Sequence, residues 1–108
     1  MKDTAVETAD THKKTAVVTL DNPIIRGAET ITTVTVLKPN SGALRGTRLQ
    51  ALMDMDVESM MTVLPRVTSP MLTKAEIMLM EPADLLQLSV ELVTFLLPKS
   101  VTSDSRLN

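Results

Sequence analysis

The β-branched residues most constrain the fold, because they gather into two runs near the N-terminal side of the chain. These are Ala16-Val17-Val18-Thr19-Leu20 and Ile31-Thr32-Thr33-Val34-Thr35-Val36-Leu37. Both favour a pleated, half-buried surface and are expected as strands. Between them Pro23 removes a ladder donor and Arg26-Gly27-Ala28-Glu29 supplies a turn, so the join is an irregular antiparallel hairpin. Threonine blurs the alternation in the second strand, leaving neither of its faces strongly polar. A lone hairpin is marginal in water, so it must pack on helices or pair with another copy.

Lys38-Pro39-Asn40-Ser41-Gly42 closes the strand region, and the remainder reads as short helices with short joints. The first is expected from Ala43 to about Met53, weakened by Gly46. Asp56 caps a second, in which Val57, Met60, Met61 and Leu64 share a face and which Pro65 and Pro70 should stop. Thr73 and Glu76 form a capping box that opens a third helix ending near Met80. Pro82 opens the last, with Asp84 complementing the positive end of its dipole. The expected fold class is therefore α+β: an N-terminal antiparallel β-hairpin followed by about four short α-helices. Residues 1–13 read as a mobile arm, 14–98 as one domain and 99–108 as a polar tail.

The last helix, Pro82 to Leu97, carries two apolar stripes. Leu85, Leu88, Leu92, Phe95 and Leu96 form one, and Leu86, Val90, Val93 and Leu97 the other. Asp84, Gln87, Glu91 and Thr94 are left as a polar seam. A small domain has little protein with which to cover both stripes, so the second is a candidate contact surface. Methionines crowd the middle of the chain; Met60 and Met61 are expected inward, and Met55, Met78 and Met80 at the surface.

Several functions fail on inventory. With 108 residues the chain makes one domain at most, and with no cysteine it has neither disulfides nor thiolate metal sites. His12 is the only histidine and lies in the expected arm, without a nucleophile or carboxylate held beside it. No catalytic residue, metal ligand or cofactor is assigned. Gly42-Ala43-Leu44-Arg45-Gly46 is followed by Thr47 and so is not a phosphate loop. Eleven basic residues are scattered against thirteen acidic ones, and Phe95 is the sole aromatic, which disfavours nucleic acid as a partner. No run reaches the ~20 apolar residues of a membrane span. The opening Met1-Lys2-Asp3-Thr4 lacks a basic region followed by an apolar one, so export is not expected.

Four blocks are more specific: Pro23-Ile24-Ile25-Arg26-Gly27, Leu37-Lys38-Pro39, Gly42-Ala43-Leu44-Arg45-Gly46 and Leu64-Pro65-Arg66-Val67-Thr68-Ser69-Pro70. In this order and spacing the chain resembles the small tail assembly chaperones of contractile-tailed temperate phages, the Mu-like tail protein E type. The likeness continues through Leu72-Thr73, Ala75-Glu76, Pro82-Ala83-Asp84-Leu85-Leu86 and Phe95-Leu96-Leu97, covering about residues 16–98. It implies a protein that binds the tape-measure protein, keeps it soluble and helps recruit tail-tube subunits. It also implies action in the host cytoplasm and absence from the mature virion. Members commonly make a longer product by ribosomal frameshifting, and Thr94-Phe95-Leu96 permits the slippery codons ACU-UUU-UUG.

Arg26, Arg45, Arg48 and Arg66 are candidate protein-binding residues, three of them within the blocks; a fold-fixing bond to a loop carbonyl is the other reading. Leu86, Val90, Val93 and Leu97 complete the candidate set, for a client or for homo-oligomer formation. Two other readings use the same chain. One is a small helical DNA-binding regulator with Thr73 to Met80 as recognition helix, disfavoured by Glu76 and an apolar remainder. The other is a structural tail component retained in the virion.

Overall fold

The rise in β-branched content becomes a strand longer than its apolar run, because pairing resumes beyond Pro23. In the computed structural model, which describes residues 14–98, β1 spans Thr15–Arg26 and β2 spans Glu29–Leu37. They pair antiparallel in two registers, Thr15↔Leu37 through Thr19↔Thr33 and then Ile24↔Ile31 through Arg26↔Glu29. Four residues, Leu20 to Pro23, therefore stand opposite Thr32 alone. The expected irregularity is a bulge inside β1, where Pro23 forfeits no ladder donor. The turn itself is tight, with Gly27 at φ +63°.

Ala16, Val18 and Leu20 of β1 face inward with Ile31, Val34 and Val36 of β2. The inward phase of β2 changes between Ile31 and Val34, opposite the bulge, which is why its sequence showed no clean alternation. A third strand, β3 (Thr68–Ser69), pairs antiparallel with the far side of β2 and was not expected. The sheet order is β1-β2-β3.

The expected first helix is divided. Ser41–Leu44 forms a 3₁₀ turn capped by Asn40, and only Leu49–Met53 is α-helical (α1). The reason is Gly46, at φ +88°, a conformation no helix contains. Helix α2 spans Val57–Val67, with the Asp56 carboxylate accepting from the Ser59 amide at 3.0 Å as its cap. It passes through Pro65 instead of stopping there. Proline has a helical φ, and only the last turn follows it, so the loss is confined to one bond near the C-terminus. The buried Thr68 hydroxyl then donates to the Leu64 carbonyl at 2.9 Å and accepts from the Leu72 amide at 3.2 Å, closing the helix end. A cis Ser69–Pro70 peptide follows.

Helix α3 (Lys74–Leu79) opens with the expected capping box. Helix α4 (Pro82–Leu96) has proline in its first turn. It lies against β1 and β2, while α2 packs on β2, on α1 and on α3. Between these layers Val34, Val36, Leu52, Met60, Val63, Leu64, Leu72, Leu88 and Leu92 are fully excluded from solvent. Each such side chain contributes about 1.5–3 kcal/mol. The sheet with its helices is thus the α+β fold expected, with one strand added. The expected arm, the polar tail and His12 lie outside the described residues.

Candidate interaction surface

Polar side chains fix the joints of this fold. Asp84, in the first turn of α4, is fully buried. Its Oδ1 accepts from the Asp21 amide at 2.7 Å and its Oδ2 from the Asn22 amide at 3.0 Å. These are bulge amides that β2 does not reach, so the carboxylate satisfies them and ties α4 to the sheet. Asp84 is consequently not part of an exposed polar seam. Ser89, also buried, donates to the Leu85 carbonyl at 2.8 Å.

Arg26 makes a two-pronged bond to Glu76, Nε to Oε2 at 2.9 Å and Nη2 to Oε1 at 2.7 Å, and Nη2 also donates to the Met71 carbonyl at 2.9 Å. Glu76 simultaneously accepts from the Thr73 amide at 2.9 Å. Hydrogen bonding from Arg26 in the first place, and from Thr73 next, lowers the Glu76 carboxyl to about 2. The same Glu76 contact raises the Arg26 guanidinium. One carboxylate thus caps α3 and pins it to the end of β1.

Arg66 Nη1 donates to the carbonyls of Ala43 at 2.9 Å and Arg45 at 2.8 Å, while Arg45 Nη1 donates to the Gly42 carbonyl at 2.8 Å. The Gly42–Gly46 and Leu64–Pro70 blocks therefore meet through arginine. Arg45, Arg48 and Arg66 remain exposed, and Arg48 makes no side-chain bond among the described residues. Of the four arginines, Arg45 and Arg66 are brought together, and Arg26 sits apart at the end of β1, bonded to α3.

The apolar candidates divide along α4. Leu86 is 54% exposed and Val90 43%, one helical turn apart. Val93 is half-buried against the core, and Leu97, just past the helix end, is also half-buried. The outer stripe is therefore open at its N-terminal end and partly covered towards its C-terminal end. No basic residue lies between Pro82 and Leu97.

Other apolar side chains are exposed as well, Met55 and Met78 as expected and Val57 against the expectation that it shares the buried face of α2. Leu49, Met53, Met55 and Val57 surround the α1–α2 joint. An α1 of five residues buries Leu52 and leaves the Leu49/Met53 side outward. A groove of about 280 Å³ is lined by Asn22, Pro23, Ile24, Ile25, Glu76, Leu79, Met80 and Glu81. Of its lining residues Leu79 is 88% exposed, and Met71 and Met78 are exposed apolar side chains as well. Met80, expected outside, packs half-buried on the core. Met60 and Met61 point inward as expected. Helix α3, weighed above as a recognition helix, is six residues long, presents Met78 and Leu79, and has Glu76 committed to Arg26.

Among the described residues no cluster of three or more histidine, cysteine or carboxylate side chains could hold a metal ion, and no helix is long and apolar enough to cross a membrane.

Comparison with known proteins gives a consistent result. A family model described as phage tail assembly chaperone proteins, E, or 41 or 14, matches residues 17–97. Tail assembly protein E of Escherichia phage P2 is 47% identical over 88 residues, covering 82% of this chain and 97% of that protein. Tail assembly protein E′ of the same phage is 46% identical over 83 residues, covering 77% of this chain but only 58% of that longer protein. No solved structure matches.

Proposed function

Since the chain belongs to the family of phage tail assembly chaperone proteins, we propose that it works without catalysis, by binding the tape-measure protein of its own phage. In this reading it keeps the tape measure soluble and helps recruit tail-tube subunits around it, in the host cytoplasm, and is left out of the finished particle. The observation that carries the reading is the outer stripe of α4, where Leu86 and Val90 stay open on a helix whose opposite face supplies Leu88 and Leu92 to the core. Such a stripe, with anchors a helical turn apart, suits the apolar face of a long helical client. Leu86 and Val90 are the contact residues in this reading, Val93 and Leu97 support them, and Arg48 is available to an acidic client segment.

The E and E′ proteins of phage P2 share the region matched here, and E′ extends beyond it. A longer frameshifted form of this chain, diverging after Leu96, would by analogy carry the shared domain with a different extension.

The test is co-expression with the tape-measure protein of the same phage. The expected result is that the tape measure becomes soluble and co-purifies with the chain. If the short form alone fails, the longer form is added; failure with both overturns the reading. Recovery of the protein in purified virions would instead favour a structural tail component.

A further inference from the structure

We infer that the outer edge of β1 is a two-fold pairing site for a second copy of this chain. This goes beyond client binding and rests on a different surface from the α4 stripe.

β1 is an edge strand, since the sheet order places β2 on one side of it and nothing described on the other. The Lys38 amide donates to the Lys14 carbonyl at 2.8 Å, which fixes the phase of the ladder. Lys14, Ala16 and Val18 therefore direct their backbone groups at β2, and Thr15, Val17 and Thr19 direct theirs outward. Their side chains lie on the solvent face, Val17 being 67% exposed. Edges are ordinarily blunted by an inward charge, a proline or a covering element. Among the described residues none of these devices falls between Thr15 and Thr19. They begin immediately after it, where Asp84 takes the amides of Asp21 and Asn22 and Pro23 follows.

The open residues read Thr-Val-Thr, the same in either direction. An antiparallel pair centred on Val17 sets Thr15 against Thr19 of the second copy, Val17 against Val17, and Thr19 against Thr15. All three open positions then exchange both of their hydrogen bonds. Threonine and β-branched pairs suit directly opposed sites. With the axis perpendicular to the sheet, both sets of helices stay on one side of a continuous sheet ordered β3-β2-β1-β1-β2-β3.

The test uses the full chain in sedimentation velocity. Wild type is expected at twice 11.8 kDa. Val17→Lys and Val17→Glu, each placing like charges across the axis, should each raise the dissociation constant roughly tenfold or more, with an unchanged urea midpoint at dilutions where wild type is also monomeric. Mixing the two should restore the dimer as a heterodimer, an outcome that a damaged fold would not give. Leu86→Glu should leave the mass unaltered. A monomeric wild type, no recovery on mixing, or dissociation by Leu86→Glu but not by Val17→Lys would each overturn the inference.

Discussion

Asp84 and Leu86 stand two residues apart on α4 and exchange the roles that their hydropathy suggests: the carboxylate is fully buried and the leucine is 54% exposed. The first turn of α4 meets a bulge with two unpaired amides, and a short acid is the side chain that satisfies both. The middle of the helix meets the core through the buried Leu88 and Leu92 and the half-buried Leu85 and Val93, so Leu86 and Val90 face outward. Burial here follows the neighbour each face meets. One end of the helix is a structural joint, and the outer stripe is apolar surface that the domain leaves uncovered.

That contrast can be attacked from both ends. The largest effect is expected from the core face: Leu92→Ala should destabilise the fold by about 3–4 kcal/mol through the cavity it leaves, read as a lower urea midpoint. Next is Asp84→Ala, which takes the carboxylate from the partly buried Asp21 and Asn22 amides and should cost about 1–3 kcal/mol. Asp84→Asn should fall between alanine and wild type, because an amide side chain offers one acceptor and opposes its own donors to the second N–H. If Asp84→Ala were as stable as wild type, the joint would not hold α4 to the sheet.

The Arg26–Glu76 joint yields a pH signature. The folded Glu76 carboxyl lies near 2, below its ordinary value of 4.5, so its contribution is fully present above 4.5 and disappears as pH falls towards 2. Urea midpoints of wild type and Glu76→Gln should therefore differ most near neutral pH and converge as pH approaches 2. A gap that stayed constant over that window would mean that the carboxylate is not held by Arg26 and the Thr73 amide.

The smallest stability effect belongs to the outer stripe. Leu86→Glu should shift the midpoint by no more than about 0.5 kcal/mol. Val93→Glu, by contrast, sets its charge against the edge of the core and should lower the midpoint by about 1–2 kcal/mol. It therefore tests packing, and only Leu86 and Val90 test contact.

Much of this was legible in local sequence. The two strands, the Asp56 and Thr73/Glu76 caps and the Pro82 start depend on neighbours within a few residues, and each is found. What escaped was non-local. Asp84 reads as an ordinary first-turn acid because its partners lie more than sixty residues away. Strand β3 is two residues long and exists only because α2 delivers Thr68 beside Val36. Gly46 breaks the expected first helix without altering its pattern, since a helix period counts apolar spacing and does not register a left-handed backbone. The exposed Leu79 carries no signal either, because a six-residue helix that buries Ile77 necessarily leaves its neighbours outside. Arg26, Arg45 and Arg66 belong to the blocks that mark the family, and each now has a carbonyl to which it donates.

The central claim is that the stripe left uncovered on α4 is where the chain holds the tape measure. It is tested most directly by co-expressing that protein with wild type and with a Leu86→Glu/Val90→Glu variant, and measuring the tape measure retained in the soluble, co-purified fraction. The account predicts retention by wild type and its loss with a variant whose urea midpoint is nearly unchanged. Equal retention by the folded variant would contradict it.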